Sequence, residues 1–192
     1  MSHSNLPPQS KVLRRIAILS SWLFIAPLAL AAVDCDSAYQ DRLKSDLKLS
    51  YQAFDQTMKG GFRALDELGC TKAAGDLIEA YIQVNNANQS SLRWHIAQLR
   101  AKEGRAEEAI KYAKTVLSKS EDFSKDPLRW NDYVLATIAF LERDKEKLVL
   151  HRNKVAEGKE AYFGNALNLK LLDALIKHFD KNYEYASRHI ES

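Results

Sequence analysis

Proline is nearly absent from most of this chain. Of its four prolines, Pro7, Pro8 and Pro27 fall within the first 31 residues, and only Pro127 follows. Proline inside a helix removes a hydrogen bond and clashes with the preceding turn, so a stretch this poor in it permits long uninterrupted helices. Ala, Leu, Lys, Glu and Arg are abundant beyond residue 31, and runs of β-branched residues are nearly missing. Residues 32–192 therefore read as all-α, with enough chain for a single domain with a real core.

The first 31 residues have a different character. Lys11, Arg14 and Arg15 come without an acid, and "IAILSSWLFIAPLALAA" is apolar apart from Ser20 and Ser21. Ala29-Leu30-Ala31 then puts small residues at the two positions a signal peptidase reads. Basic, apolar, small-x-small is the order of a secretory signal peptide, with cleavage expected after Ala31. The rival reading is an uncleaved inner-membrane anchor, but the run is short of the ~20 apolar residues a spanning helix needs, and Pro27 interrupts it. A lipoprotein signal fits poorly, because Cys35 follows Val33-Asp34 rather than small residues. The expected compartment is periplasmic or extracellular, with no stable membrane insertion after cleavage.

Removing that segment changes the charge. The whole chain has 28 Lys and Arg against 25 Asp and Glu; the leader holds three of the bases and none of the acids, so the remainder is balanced at 25 each. A neutral, mixed surface argues against nucleic acid or an anionic membrane as the main partner. Cys35 and Cys70 both lie in the exported part, and an even count there predicts a disulfide, with two buried thiols as the alternative. Neither a C-x-x-C nor a cluster of histidines accompanies them, so no redox or metal role is expected.

Apolar spacing and breakers divide the chain into helices. The first is expected from about Ser37 to Ala53, with Gly60-Gly61 as a break and a short "FRALDEL" helix capped by Gly69. Helices then open at Thr71, behind Ser90 or Ser91 as an N-cap, and after Gly104. Asp126-Pro127, an N-cap followed by proline at the first helical position, starts the next, which runs to about Glu142. "RDKEK" turns into a helix carrying Leu148, Val149 and Val155; Asn165 opens another, and "KNYEYASRHI" is the last.

These helices come in pairs. Ala97 and Ala109, Ala136 and Leu148, and Ala174 and Ala186 are each 12 residues apart, a small residue midway along a first helix and a contact early in the second. Small residues there let two backbones approach closely. The anchors recur at offsets of 39 and 38, whereas Leu92-Arg93-Trp94 recurs as Leu128-Arg129-Trp130 at an offset of 36, so no single register fits everything.

"KEGRAEEAIKYAKTVL" (Lys102–Leu117) resembles the turn and second helix of a tetratricopeptide repeat, with Gly104, Ala109 and Ile110 in that family's places. The likeness extends more weakly to "ELGCTKAAGDLI", "FLERDKEKLVL" and "HFDKNYEYASR", covering most of Phe62 to Ile190, though the other units lack the glycine or the alanine and the terminal proline is missing throughout. "FDQTMKGGFRALDELGC" is also similar to a set of uncharacterised exported bacterial proteins. The resemblance implies a short α-solenoid whose stacked pairs bury their faces together and leave a concave surface lined by first helices. Carried over onto this register, that surface would hold Trp94, Gln98, Trp130, Tyr133, Thr137, Asn168 and Leu171, and would take another protein or peptide of the cell envelope. The competing expectation for Trp94 and Trp130 is that they fill gaps in the core. Arg93 and Arg129 are expected as solvated surface charges, with acid pairing or ring stacking as alternatives.

No catalytic constellation emerges. His95, His151, His178 and His189 have no partner at ligand spacing. Ser45-Asp46-Leu47-Lys48 matches S-x-x-K, but its companion motifs are absent and it reads as a solvated helix face. The expectation is a protein-binding adaptor with no cofactor and no activity of its own. The alternatives are an inhibitor or immunity-type protein acting on an envelope enzyme, or an enzyme with a pocket between helices near His178, His189, Tyr183 and Tyr185.

Overall fold

A computed structural model describes Met1 and residues 32–191. The expected signal peptide and its cleavage site lie outside the described residues. No helix among the described residues is long and apolar enough to cross a membrane.

The described chain is helical throughout, with no strand: α1 (Cys35–Asp46), α2 (Tyr51–Asp55), α3 (Gly61–Glu67), α4 (Thr71–Asn85), α5 (Ser90–Lys102), α6 (Ala106–Lys114), α7 (Trp130–Leu141), α8 (Lys145–Glu157), α9 (Phe163–Lys177) and α10 (Tyr183–Arg188). Neighbours in sequence pack on each other: α3 on α4, α5 on α6, α7 on α8 and α9 on α10, while α4, α6 and α8 each also meet the first helix of the following pair.

One turn geometry joins three of the pairs. Gly69, Gly104 and Arg143 take positive φ of 81°, 78° and 61°. The next residue in each case, Cys70, Arg105 and Asp144, donates its N–H back to the carbonyl of Leu65, Arg100 and Ala139. This is the glycine-type helix stop, in which a left-handed residue turns the chain and satisfies orphaned carbonyls. Arg143 holds this conformation without glycine's freedom; its guanidinium donates to the carbonyls of Lys181 and Phe179 and lies 4.5 Å from the Phe179 ring centroid. After each turn the fourth residue of the second helix is fully buried: Ala74, Ala109, Leu148 and, beyond a longer connection, Ala186. The small residues Ala97, Ala136 and Ala174 on the first helices are buried too. The alanine spacing, not the LRW repeat, therefore carries the structural register: Trp94 sits inside α5, whereas Trp130 is the first residue of α7.

Several helix boundaries differ from expectation; α5 starts at Ser90 behind Gln89, so neither Ser90 nor Ser91 is its cap. The helix expected over about 37–53 is broken between α1 and α2. Two side chains of α4 take the carbonyls of the connecting segment, Asn85 Nδ2 donating to Leu47 and Tyr81 OH to Leu49, and Ser50 Oγ caps α2. Likewise α7 starts at Trp130, not after Asp126. The buried Asn165 side chain accepts from the Arg129 N–H and donates to the Pro127 and Gly158 carbonyls, at 2.8–2.9 Å, which holds residues 127–129 out of the helix. Asn165, expected to open α9, is its third residue and serves as this clamp.

The core has two lobes with α5 between them. Leu92, Ile96 and Leu99 face Phe54, Leu65, Leu77 and Ile78; Trp94, Ala97 and Ala101 face the side built by α7 to α10. The expected disulfide is present: Cys35 and Cys70 are joined, tying the start of α1 to the α3–α4 turn.

A buried arginine locks α4 to α5. Arg100 is 1% exposed, and its guanidinium donates to Asp76, Glu79 and Glu103 at 2.6, 2.9 and 2.8 Å. Tyr112 OH donates to Glu79 from α6; burial, then that bond, pushes its hydroxyl up to about 12.

Candidate functional site

The face expected to be concave brings its aromatic residues together. Trp94, Trp130 and Tyr133 form a triangle with ring centroids 5.3–5.9 Å apart, edge-on or tilted. Aromatic edges and faces attract at these separations. Trp130 Nε1 donates to the Val116 carbonyl, so the indole has its polar partner inside the protein.

Burial corrects the expected binding surface. Trp94, Tyr133, Thr137 and Leu171 are 5%, 5%, 2% and 9% exposed, so they are core and offer nothing to a partner in this conformation. Thr137 Oγ1 is committed to the Tyr133 carbonyl one turn back. Gln98, Trp130 and Asn168 remain half-buried. One cause is α10, which packs against α5 as well as α9 and buries Tyr183 and Ala186. Burial pushes the Tyr133 and Tyr183 hydroxyls well above their ordinary range.

Along α9 a row of apolar residues emerges into solvent. Phe163, Leu167 and Leu171 are four residues apart and share one helix face; Phe163 is 73% and Leu167 50% exposed, while Leu171 is buried beside α10. Tyr162 adds a half-exposed ring next to them.

A cleft of about 280 Å³ opens where α3, α5 and α10 meet, with Arg63, Asp66, His95, Gln98, Lys102 and Arg188 on its wall. Its most organised member is His95. The ring Nδ1 lies 2.7 Å from Oδ1 of Asp55, which is fully buried at the end of α2. Ser91, one turn before His95, donates to the other carboxylate oxygen at 3.1 Å, and Gln56 Nε2 donates there as well. Tyr51 OH meets Ser91 Oγ at 2.8 Å. Burial alone would raise the Asp55 carboxyl; the hydrogen bond and charge of His95, with Ser91 and Gln56, outweigh it and hold the carboxyl below its usual range. The chain order of contacts is serine–aspartate–histidine. A nucleophilic serine needs its hydroxyl on the histidine, so this is not a serine-hydrolase relay.

Other flagged residues have structural duties. His151 Nδ1 pairs with Asp132 at 2.8 Å and ties α8 to α7. His178, Tyr185 and His189 cluster at the C-terminal edge, Tyr185 stacking on His189 at 3.9 Å, while Tyr183 points into the core instead. Arg93 donates to the Asn88 carbonyl, and Arg129 lies 3.8 Å from the Phe123 ring centroid, so neither is simply a solvated charge. Ser45 and Lys48 are both exposed, with Lys48 beyond the end of α1, so the S-x-x-K spacing builds no site. No group of three metal-ligating side chains occurs among the described residues.

Sequence reasoning passed over Asp55 and the cleft, because Asp55 lies 40 residues from His95 in an unremarkable "FDQ" context. Fold and site together define an all-helical protein of successively packed helix pairs with an arginine-locked, disulfide-tethered N-terminal lobe. Comparison with known protein families, curated proteins and solved structures finds no match to this chain.

Proposed function

We propose that this chain is an exported, periplasmic adaptor of tetratricopeptide-like type that binds a protein or peptide of the cell envelope and has no catalytic activity of its own. The observation that carries this reading is the recurrence of one helix-pair unit: the same left-handed turn at Gly69, Gly104 and Arg143, followed each time by a buried small or apolar residue four positions into the second helix. Units of this kind cannot bury their faces alone, and stacking them creates an extended recognition surface. The residues available for docking are Phe163 and Leu167, with half-buried Trp130 and Asn168, rather than the buried Trp94 and Tyr133. Two apolar side chains one turn apart suit an amphipathic segment laid along α9. An inhibitor of an envelope enzyme would be the same reading with an enzyme as partner.

The test is a photo-crosslinking amino acid placed at Phe163 or Leu167 in intact cells, with Val84, 65% exposed on α4, as the control site. A discrete adduct at the α9 positions and none at Val84 is the expected result. Equal labelling at both sites would remove α9 as the docking surface.

A further inference from the structure

The cleft between α3, α5 and α10 is not needed by the adaptor reading, and its chemistry is specific. Four basic side chains reach it from three elements: Arg63 from α3, His95 and Lys102 from α5, and Arg188 from α10. Among the described residues Asp66 is the one acid on its wall, and it is already bonded to Lys102 at 2.7 Å and to Thr71 at 3.2 Å. Arg188 pairs with Glu184 at 2.5 Å. Arg63 has no carboxylate partner within the described chain; its Nη2 is anchored at 2.8 Å on the Asp55 carbonyl, and its guanidinium lies 4.5 Å from the Phe62 ring centroid. Backbone and ring contacts aim this cation without neutralising it.

His95 is oriented in the same way. Asp55 takes Nδ1, which leaves Nε2 as the other ring nitrogen; it makes no hydrogen bond within the described residues, and the His95 side chain is 19% exposed. The carboxylate fixes the ring's orientation; with Nδ1–H on Asp55, Nε2 is a lone-pair acceptor on the neutral ring and a donor on the imidazolium. The orienting shell is itself secured, since Ser91 and Gln56 bind the same carboxylate and Tyr51 binds Ser91.

We infer that this cleft binds a tetrahedral dianion, a phosphate or sulfate group, with the Arg63 guanidinium and Nε2–H of the His95 imidazolium as its donors and the paired cations Lys102 and Arg188 at its rim. A planar carboxylate presents two oxygens in one plane and is satisfied by a single guanidinium fork. Donors arriving from three helices instead match an ion with acceptors pointing in several directions. The volume admits the anion with a small organic substituent, so a free ion and a monoester share this chemistry. Binding here does not depend on whether α9 docks a protein.

The experiment is a titration of the full exported chain with inorganic phosphate, inorganic sulfate, phenyl phosphate and acetate at fixed pH and ionic strength, read from the His95 ring resonances by NMR. Saturable shifts with phosphate or sulfate, and at least about tenfold weaker response to acetate, are expected. A lower Kd for phenyl phosphate than for phosphate assigns the site to esters; the reverse assigns it to the free ion. His95→Gln and Arg188→Gln, followed through neighbouring amide resonances, should each weaken binding about tenfold, while Lys114→Gln on the remote α6 leaves it unchanged. Unaltered thermal unfolding of Arg188→Gln, whose side chain is 63% exposed, separates lost binding from lost fold. Absence of saturation with either tetrahedral ion, equal affinity for acetate, or indifference to both cleft substitutions would overturn the assignment.

Discussion

The guanidinium of Arg100 occupies the space that a side chain at Gly75 would need: a Cβ there would stand 2.8 Å from Nη1 and 3.0 Å from Cζ. This explains a glycine inside α4, where it costs helix stability. Alanine at position 75 would gain about 1 kcal/mol of helix propensity. It would also push the guanidinium off carboxylates whose hydrogen bonds contribute roughly 1.5–3 kcal/mol each. Gly75→Ala is therefore expected to destabilise by about 1–2 kcal/mol in denaturant unfolding; a stabilised variant would show that Arg100 moves freely.

Removing the arginine itself strands three carboxylates. Arg100→Met should cost on the order of 3–5 kcal/mol near neutral pH. Burial raises the Asp76 carboxyl, but Lys72 and Arg100 outweigh it and hold it below its ordinary value. A carboxyl lowered on folding contributes stability above its unfolded pKa of about 3.9 and loses it as pH falls through the folded value. The gap between wild type and Arg100→Met should thus narrow below about pH 4, measured as unfolding free energy against pH.

Asp55 titrates with the same sign, since its folded carboxyl also lies below the usual range. Asp55→Asn keeps the shape and removes the charge. It should destabilise the protein by roughly 2 kcal/mol at pH 7 and flatten the acid limb of the stability curve, because one group linked to protonation is gone. An unchanged acid limb would place the linkage in other carboxyls.

Asn165 offers a test of the clamp on α7. Its side chain serves the Arg129 N–H and the Pro127 and Gly158 carbonyls while fully buried. Asn165→Ala leaves those groups unpaired, at about 1 kcal/mol or more each, for a total of roughly 3 kcal/mol. Hydrogen exchange at the Arg129 amide should accelerate more than at amides in the middle of α7.

The disulfide anchors α1, whose own contacts are modest. Closing a loop with a separation of 35 residues contributes roughly 4 kcal/mol on the chain-entropy account. Cys35→Ser with Cys70→Ser should lower the unfolding midpoint and raise hydrogen exchange across α1, with α7 to α9 protected as before. Uniform loss of protection would mean that both core lobes unfold together.

Much of the secondary structure was legible because its causes are local. Gly69 and Gly104 announce their turns by lacking a Cβ, and the 12-residue spacing of Ala97 with Ala109 and of Ala136 with Leu148 marks facing positions on paired helices. The candidate surface was less legible. Trp94 and Tyr133 have the period and chemistry of a groove, yet they are covered, and periodicity cannot distinguish a face turned to solvent from one turned to another helix.

Local chemistry thus determined the helical class, the turns between pairs and the pairing of the two cysteines. Tertiary structure alone decided where α1 ends and where α7 begins, because side chains distant in sequence, Asn85, Tyr81 and Asn165, compete for the backbone there. It also decided that Asp55 stands behind His95 and that α10 returns to α5. Helix propensity and capping act within a turn or two along the chain, while burial, charge pairing and competing hydrogen bonds depend on which distant segments packing brings together.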